Sequence, residues 1–346
     1  MLFNYFKKDI GIDLGTANSL VYVGGRGIVI DEPSVVAVNN KTGQVLAIGE
    51  EAKKMIGRTP AHISVVRPLV NGVISDFEIT QEILRHFLKK INSNRIFNHC
   101  HVVIGIPVNL TEVERKSVED AVISAGAVKV FIMEEPIAAA LGAHLPINEP
   151  TSTMIVDIGG GTTDIAVISM GGIVTAKSIK IAGDKLSEDI IKFIRDEFKL
   201  VIGEPTAEEL KLIIGSALPI EEKKELTIRG RDMSTGLPKE IAVKGSHIRT
   251  AISRSLKLII EAIKETVEIA PPELVGDILK SGIYICGGGS LLKGLDQLIE
   301  REISVKTLIV EDPLTCVVRG VGRAAENIRE HSKFFVDSLK PREINI

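Results

Sequence analysis

Two short glycine-containing stretches carry the residue types that bind phosphate. They read D-L-G-T-A-N at residues 13–18 and D-I-G-G-G-T-T-D at residues 157–164, and each follows a short apolar run. Glycine lets the backbone N–H groups of a turn approach an anion without side-chain obstruction, so each stretch predicts a phosphate-binding turn. Neither stretch matches the P-loop pattern or the dinucleotide fingerprint of a Rossmann fold, which excludes a P-loop kinase.

An aspartate precedes each turn, Asp13 in the first and Asp157 in the second. A carboxylate beside a phosphate is repelled unless a cation offsets the charge. The pattern therefore predicts Mg²⁺ as a cofactor. Because Mg²⁺ keeps several of its waters, we expect both aspartates to hold it mainly through water.

A third acidic residue, Glu135, stands directly before Pro136, and proline suits the first turn of a helix. The helix dipole favours an ionised carboxylate at that place. Glu135 is therefore the candidate for orienting an attacking water. Simple helix capping is the alternative for this residue.

A further glycine cluster, G-G-G-S at residues 287–290, follows an apolar strand and is expected to open a helix at Leu291. Such a turn can pass close to a flat base or a ribose. Glu208 and Lys211 lie three apart on a predicted helix, so they share a face and are candidates for contacts with ribose and adenine. A surface ion pair is the alternative for these two residues.

A repeat predicts the elements that position these motifs. In each half of the chain an apolar strand, residues 9–14 or 154–158, runs into an Asp-x-Gly turn and out into a second strand. Each half also leads from a strand through an acidic pair and a proline, Pro136 or Pro313, into a helix. Residues 186–244 are the larger insertion of the second half and predict a small subdomain. Strands alternate with helices elsewhere. Thr111 with Glu114 three residues later predicts the capped start of one helix, and apolar spacing predicts another over residues 252–270. The fold class is therefore α/β with two similar lobes.

Composition narrows the class of protein. A chain of 346 residues with 45% apolar and 25% charged residues is expected to be globular, and its net charge of -3 makes nucleic acid an unexpected partner. The cysteines Cys100, Cys286 and Cys316 are expected to be buried reduced thiols. No apolar run reaches the length that crosses a bilayer, so a cytosolic protein is expected.

The N-terminus combines apolar side chains with positive charge, because Leu2, Phe3, Tyr5 and Phe6 are followed by two lysines. Such an end suits the headgroup boundary of an anionic membrane. A terminal strand packed on the first lobe is the alternative.

Longer motifs extend these patterns. They read D-I-G-I-D-L-G-T-A-N at 9–18, D-E-P-S-V-V-A-V at 31–38, R-P-L-V-N-G-V-I-S-D-F at 67–77, V-D-I-G-G-G-T-T-D-I-A-V-I-S at 156–169 and G-G-G-S-L-L at 287–292. With them the chain resembles the superfamily of actin, DnaK-type chaperones and sugar kinases over nearly its whole length. Within that superfamily it is most similar to the bacterial actin family MreB/Mbl.

The resemblance implies an actin-like, ribonuclease H-like fold, in which two duplicated lobes with four subdomains enclose a central nucleotide cleft. The subdomains are predicted to cover residues 1–36, 70–148 and 319–346 (IA), 37–69 (IB), 149–184 and 249–318 (IIA), and 185–248 (IIB).

The resemblance also assigns site residues. The phosphate-binding residues would be Thr16, Ala17, Asn18, Gly159, Gly160, Gly161 and Thr162. The contacts with ribose and adenine would be Glu208, Glu209, Leu210, Lys211, Gly288, Gly289, Ser290 and Leu291. Glu135 and Thr162 would position the hydrolytic water. The membrane contacts would be Leu2, Phe3, Tyr5, Phe6, Ile96 and Phe97.

The function implied by the resemblance is that of an ATPase that polymerises into double protofilaments. These would lie on the inner face of the cell membrane and organise the cell-wall elongation complex to maintain a rod shape, with ATP and Mg²⁺ as cofactors. A sugar or acetate-type kinase of the same superfamily is the enzymatic alternative, and it needs an acceptor pocket that no insertion obviously offers. A chaperone would need a further peptide-binding domain. A nucleotide-binding scaffold with little turnover would not need Glu135.

Overall fold

The computed structural model describes residues 9–91, 100–219 and 225–336, which divide into two compact units. The first unit takes the described residues of Met1–Met55, Thr59–Asn148 and Thr315–Ile346. The second unit takes those of Ile56–Arg58 and Glu149–Leu314. The finer division into four subdomains stays a prediction.

Strands and helices alternate along the chain, as an α/β protein requires. The strands are β1 (Ile10–Leu14), β2 (Asn18–Val23), β3 (Gly27–Pro33), β4 (Val36–Asn39), β5 (Val45–Ile48), β6 (Ile63–Val66), β7 (Leu69–Val70), β8 (Val73–Ile74), β9 (His101–Ile106), β10 (Lys129–Glu134), β11 (Thr153–Ile158), β12 (Thr163–Ser169), β13 (Gly172–Ile179), β14 (Leu200–Val201), β15 (Glu225–Asp232), β16 (Pro238–Lys244), β17 (Ile283–Cys286) and β18 (Thr307–Ile309). The α-helices are α1 (Glu50–Lys53), α2 (Phe77–Ile91), α3 (Glu112–Ser124), α4 (Glu135–Gly142), α5 (Gly183–Phe198), α6 (Glu204–Ile214), α7 (Gly245–Glu268), α8 (Pro272–Ser281), α9 (Leu295–Ile303) and α10 (Cys316–Glu326).

A five-stranded sheet forms the centre of each unit, and the two sheets have the same plan. The order is β10-β9-β1-β2-β3 in the first unit and β18-β17-β11-β12-β13 in the second. In both sheets the first three strands are parallel, and the last two are added by antiparallel hairpins. The duplication predicted from the sequence is therefore confirmed in the sheets.

Apolar side chains of the helices pack against apolar side chains of each central sheet. In the first unit Ile12 of β1 and Phe87 of α2 are fully buried in one core. In the second unit Val156 of β11, Ile190 of α5 and Ile259 of α7 are fully buried in another. Burial of this kind stabilises a side chain by about 1.5–3 kcal/mol and fixes which face of each helix meets the sheet.

Several local predictions are confirmed. Thr111 and Glu114 form the reciprocal capping box that begins α3. The predicted insertion of the second unit contains α5, α6 and the three-stranded sheet β14-β15-β16. All three cysteines, which lie in the described part of the chain, are free and buried.

Three helix boundaries differ from the expectation. The helix expected at Leu291 is a 3₁₀ turn, Gly288–Leu291, and α9 begins only after Gly294, whose left-handed φ of 74° separates the two. Pro313 lies in a turn, and α10 starts three residues later at Cys316, because Asp312 has a left-handed φ of 50°. The expected helix from residue 252 begins earlier, at Gly245.

Glycines let α10 lie directly on α4. A Cβ on Gly142 would overlap the carbonyl oxygen of Cys316, and a Cβ on Gly320 would overlap that of Ala138. The two backbones therefore touch, which fixes α4 and its first residue, Glu135. No helix in the described ranges is both long and apolar enough to span a membrane.

Candidate nucleotide-binding site

The first predicted phosphate turn connects β1 to β2, and Ser34 holds its carbonyls. Ser34 Oγ donates to the Gly15 carbonyl at 2.5 Å, and the Ser34 N–H donates to the Ala17 carbonyl at 2.9 Å. Ser34 is itself fully buried and hydrogen-bonds the Ser19 hydroxyl at 2.8 Å. Two carbonyls of the turn therefore face the protein, which orients the peptide units between them.

Thr16 at the centre of this turn is only 7% exposed. Its Oγ1 accepts the Gly72 N–H at 3.1 Å, so the hydroxyl hydrogen is left to donate elsewhere. Asn71 and Gly72 have φ values of 52° and 72°, which is the pattern of a tight hairpin turn between β7 and β8. Asn18 lies exposed at the start of β2, where its side-chain amide donates to Asp31 at 2.9 Å.

Asp13 ends the parallel part of β1, beside Gly105 of β9. Burial, and to a lesser extent the negative charge of Asp31, raise the pKa of its carboxyl from 3.8 to about 7. Ionising this group is unfavourable unless a positive charge stands nearby. A buried oxygen ligand of this kind, with a second carboxylate close by, fits the hard-oxygen preference of Mg²⁺.

Glu135 is the first residue of α4, as expected from the proline that follows it. Asp13, Gly105 and Met133 are neighbours in register across β1, β9 and β10. Strands lie about 4.8 Å apart, so the Cα atoms of Asp13 and Met133 are roughly 10 Å apart at the same end of the sheet. A Cβ on Gly105 would stand 3.5 Å from Glu135 Cγ, so the Glu135 side chain lies beside Gly105. Asp13 and Glu135 therefore share one edge.

The second predicted phosphate turn connects β11 to β12 and is held by the start of α5. The Gly159 N–H donates to the Thr162 carbonyl at 2.9 Å and closes the turn. The Gly183 N–H donates to the Gly159 carbonyl at 3.1 Å, and the Asp184 N–H donates to the Gly160 carbonyl at 2.8 Å. The first N–H groups of a helix have no partner within the helix, so those of α5 are available to hydrogen-bond the carbonyls of the turn and fix its orientation.

Buried polar residues flank the second turn. Asp157 is 7% exposed and lies opposite Asp164 in the hairpin. Thr162 is 9% exposed, and the next hydroxyl along the chain, that of Thr163, donates to the Ile181 carbonyl at 2.7 Å. Gly161 lies between these positions, in the same turn. The second turn therefore occupies the same place in its sheet as the first turn does, but different residues hydrogen-bond its carbonyls.

The third glycine cluster crosses directly over Asp157. Gly287 has a φ of 76°, and a Cβ there would overlap the Asp157 carboxylate and the Ile158 carbonyl oxygen. Ser290 is fully buried and its Oγ donates to the Gly287 carbonyl at 2.7 Å. Gly288 and Leu291 of the same 3₁₀ turn are exposed, whereas Gly289 is half-buried against Ile158.

Lys211 of α6 connects the predicted nucleoside residues to the second phosphate turn. Its Nζ donates to the Gly183 carbonyl at 2.8 Å, to Ser187 Oγ at 3.1 Å and to Glu208 Oε2 at 2.6 Å. Ser187 Oγ in turn lies 2.8 Å from Glu208 Oε2. The Lys211 side chain is only 12% exposed, so it is a buried connector rather than a loose surface ion pair.

The other predicted residues of α6 lie differently. Leu210 is fully buried in the core of the second unit, so only its main chain remains for a ligand. Glu209 is exposed. The predicted membrane residues Leu2, Phe3, Tyr5, Phe6, Ile96 and Phe97 lie outside the described residues.

Four anchoring residues were missed in the sequence, namely Ser34, Gly183, Asp184 and Ser187. Ser34 lies inside the D-E-P-S-V-V-A-V motif, and Gly183 and Asp184 open the insertion of the second unit. Their positions in or beside these motifs could have identified them as candidates for holding the turns. Within the described ranges no group of three or more His, Cys, Asp or Glu residues is arranged to bind a metal directly.

A protein-family model described as MreB/Mbl protein matches residues 7–333 of the chain. The chain belongs to the MreB/Mbl family. The cell shape-determining protein Mbl of Bacillus subtilis (strain 168) is 49% identical over 323 residues, which cover 93% of this chain and 97% of that protein. The cell shape-determining protein MreB of Escherichia coli (strain K12) is 45% identical over 331 residues, or 94% and 95% of the two chains.

Solved structures show the same fold. The crystal structure of MreB5 of Spiroplasma citri bound to ADP matches with a TM-score of 0.90 and 40% identity, covering 94% of this chain and 98% of that one. The same protein bound to AMPPNP matches equally well. A MamK double helical filament has a TM-score of 0.79 at 24% identity, over 92% and 99% of the two chains. The MreB/Mbl chain described here therefore has an actin-like fold, as its sequence predicts.

Proposed function

We propose that this MreB/Mbl chain binds ATP through its two phosphate turns. The observation that carries the proposal is the duplication: Asp13 and Asp157 stand at the same place in two sheets of the same order, each before a glycine turn. Hydrogen bonds inside the protein fix the carbonyls of both turns, which leaves peptide N–H groups as the groups to offer an anion. The ADP and AMPPNP complexes of the 40% identical MreB5 support a nucleotide as the ligand.

Magnesium is proposed as the partner of the nucleotide. Asp13 and Asp157 would hold it, mainly through water. The burial that raises the pKa of Asp13 makes a nearby positive charge favourable for its ionised form. When bound, the ion offsets the charge of the phosphates. The protein's own part is to keep these two carboxylates fixed on buried strands.

Slow ATP hydrolysis is proposed to depend on Glu135 and Thr162. Glu135 sits in the first turn of α4, where the helix dipole favours its ionised form and lets it accept a hydrogen bond from water. The Thr162 hydroxyl would hold the same water from the second phosphate turn. The nucleoside would meet Glu208, whose carboxylate is fixed by Lys211 and Ser187.

The proposed cellular role is the determination of cell shape, which is the role stated in the names of the relatives. The chain would polymerise into double protofilaments and organise the cell-wall elongation complex from the cytoplasmic, inner face of the cell membrane. Support for self-association comes from the actin-like fold that this chain shares with a filament-forming protein. Leu2, Phe3, Tyr5, Phe6, Ile96 and Phe97 are the residues proposed to touch the membrane.

Sedimentation and phosphate release test the proposal together. The purified chain should pellet with ATP and Mg²⁺ and should release phosphate slowly. Glu135→Ala should lose about 10²–10⁴-fold in phosphate release, the usual contribution of a positioned base, while still binding ATP. Glu273→Ala is the matched control, because Glu273 is also an acidic residue in the first turn of a helix that has a proline at its start, and it is exposed whereas Glu135 is half-buried.

Two results would refute the proposal. Phosphorylation of a sugar or of acetate by a chain that stays monomeric with ATP and lipid would favour the kinase alternative. Equal phosphate release by the Glu135 and Glu273 variants would remove Glu135 from the reaction. For the membrane, flotation with anionic liposomes should weaken when residues 1–8 are deleted, and unchanged flotation would discard that anchor.

A further inference from the structure

The residues that follow α10 return to the sheet of the first unit. After the 3₁₀ turn Ser332–Phe334, Phe335 forms an antiparallel bridge with Met133 of β10. The Val336 N–H donates to the Ile132 carbonyl at 2.9 Å. Because β10 is the outermost strand of that sheet, these residues lie on its outer edge.

Side chains reinforce this backbone pairing. The rings of Phe131 and Phe335 lie with their centroids 5.0 Å apart, and the Lys129 amino group stands 4.8 Å from the centroid of the Phe131 ring. Phe334 is 6% exposed, and Val336 is packed against the core of the unit. Aromatic pairs of this kind add stability beyond the area they bury.

Without this covering segment, β10 would be prone to pair with a strand of another chain. β10 reads K-V-F-I-M-E, with four consecutive apolar residues between its two charged ends. An edge strand that is apolar and unprotected offers its backbone N–H and C=O groups to another chain. Charges in the middle of an edge strand are a common protection, and β10 has none there.

We propose that the C-terminal residues Phe335 and Val336 are an edge cap, which prevents β10 from pairing with a second copy of this chain. The match to the MreB/Mbl family ends at residue 333, so both pairing residues lie beyond the family match. The cap acts on association that needs no nucleotide. It is therefore separate from the proposed assembly with ATP.

Two truncated chains test the cap. A chain that ends at Val336 keeps both pairing residues, and a chain that ends at Phe334 lacks them, while both lack residues 337–346. In EDTA and without nucleotide, the chain ending at Phe334 should form sedimenting species enriched in β-structure by infrared spectroscopy. The chain ending at Val336 should stay unassociated, and so should the full chain.

Two full-length variants guard against a truncated chain that fails to fold. Val336→Pro removes the N–H that bonds Ile132, and Phe335→Ala removes the ring that packs on Phe131. Each should speed amide hydrogen exchange in residues 129–134 about tenfold, since a hydrogen bond or an aromatic pair is lost, and each should associate without nucleotide.

The comparison is decisive in either direction. Faster exchange together with nucleotide-free association supports the cap. Absence of association in all three variants overturns it, even if exchange is faster, because the segment would then be only a packing element. Equal association of the two truncated chains overturns it as well, because the cause would then lie in residues 337–346. Neither result bears on ATP-dependent pelleting, which is measured separately.

Discussion

Gly287 is the position where one methyl group should do most damage to the candidate site. Its φ of 76° is left-handed, which costs a residue with a Cβ about 1–2 kcal/mol. A Cβ there would also overlap the Asp157 carboxylate and stand 2.7 Å from the Ile158 carbonyl carbon. Forcing an atom into such a space costs typically about 1–3 kcal/mol.

The net effect follows from these costs and one gain. Alanine restricts the unfolded chain, which returns about 0.4–1 kcal/mol. Gly287→Ala should therefore destabilise the second unit by about 2–4 kcal/mol. For a unit of this size the melting temperature should fall by roughly 10 °C. ATP binding should weaken too, because the methyl group displaces Asp157.

Gly288→Ala is the matched control in the same turn. Gly288 is exposed and has no left-handed φ, and its added Cβ would meet only Leu314 Cδ2, at 3.4 Å, an ordinary contact distance. Its melting temperature should stay close to that of the unchanged chain. Circular dichroism during heating measures both variants, and calorimetric titration with ATP measures binding. Equal melting temperatures for the two variants would show that Gly287 does not pack closely against Asp157, and the reasoning would fail.

Three further outcomes are expected. Ser34→Ala leaves the half-buried Gly15 carbonyl without the Ser34 hydroxyl donor and should cost about 1–3 kcal/mol of stability, seen as a lower guanidinium midpoint and a higher Kd for ATP. Lys211→Met removes all three bonds of its amino group and should weaken ATP binding, whereas the same change at the exposed Lys280 should leave the Kd unchanged. Because folding raises the pKa of Asp13 from 3.8 to about 7, nucleotide-free protein should be most stable below pH 4 with respect to this group. It should lose up to ~4 kcal/mol as the pH rises through 7, and Asp13→Asn should flatten that slope in denaturation measured from pH 4 to pH 8.

The elements that the sequence predicted well are those that local patterns specify. The hairpins around both phosphate turns follow from short apolar runs that flank glycine, and the capping box at Thr111 follows from two residue types three apart. Repetition added the shared plan of the two sheets. A pattern of this kind depends only on residues near one another in the chain, so the sequence displays it directly.

The anchors of the site depend on residues far apart in the chain, and for that reason they were not predicted. The Ser34 hydroxyl donates to the Gly15 carbonyl, although two strands separate these residues in the chain. The Lys211 amino group lies on α6 and donates to the carbonyl of Gly183, at the start of α5. The start of α7 was missed for a different reason: its N-cap is Lys244, and the N–H of Lys244 donates to Nδ1 of a histidine, His247, at 3.2 Å. Histidine is not among the residues that usually mark a helix start.

The duplication makes the backbone of the two units alike without making their chemistry alike. By sheet register the counterpart of Glu135 is Asp312, since β10 and β18 occupy the same place in their sheets. Glu135 opens α4 directly, so its carboxylate stands at the positive end of a helix. Asp312 has a left-handed backbone in a turn three residues before Thr315, the residue that precedes α10, and lacks that helix end. The duplicated frame thus presents a glycine turn twice and a helix-held carboxylate once, which is the asymmetry that the proposed hydrolysis with one attacking water requires.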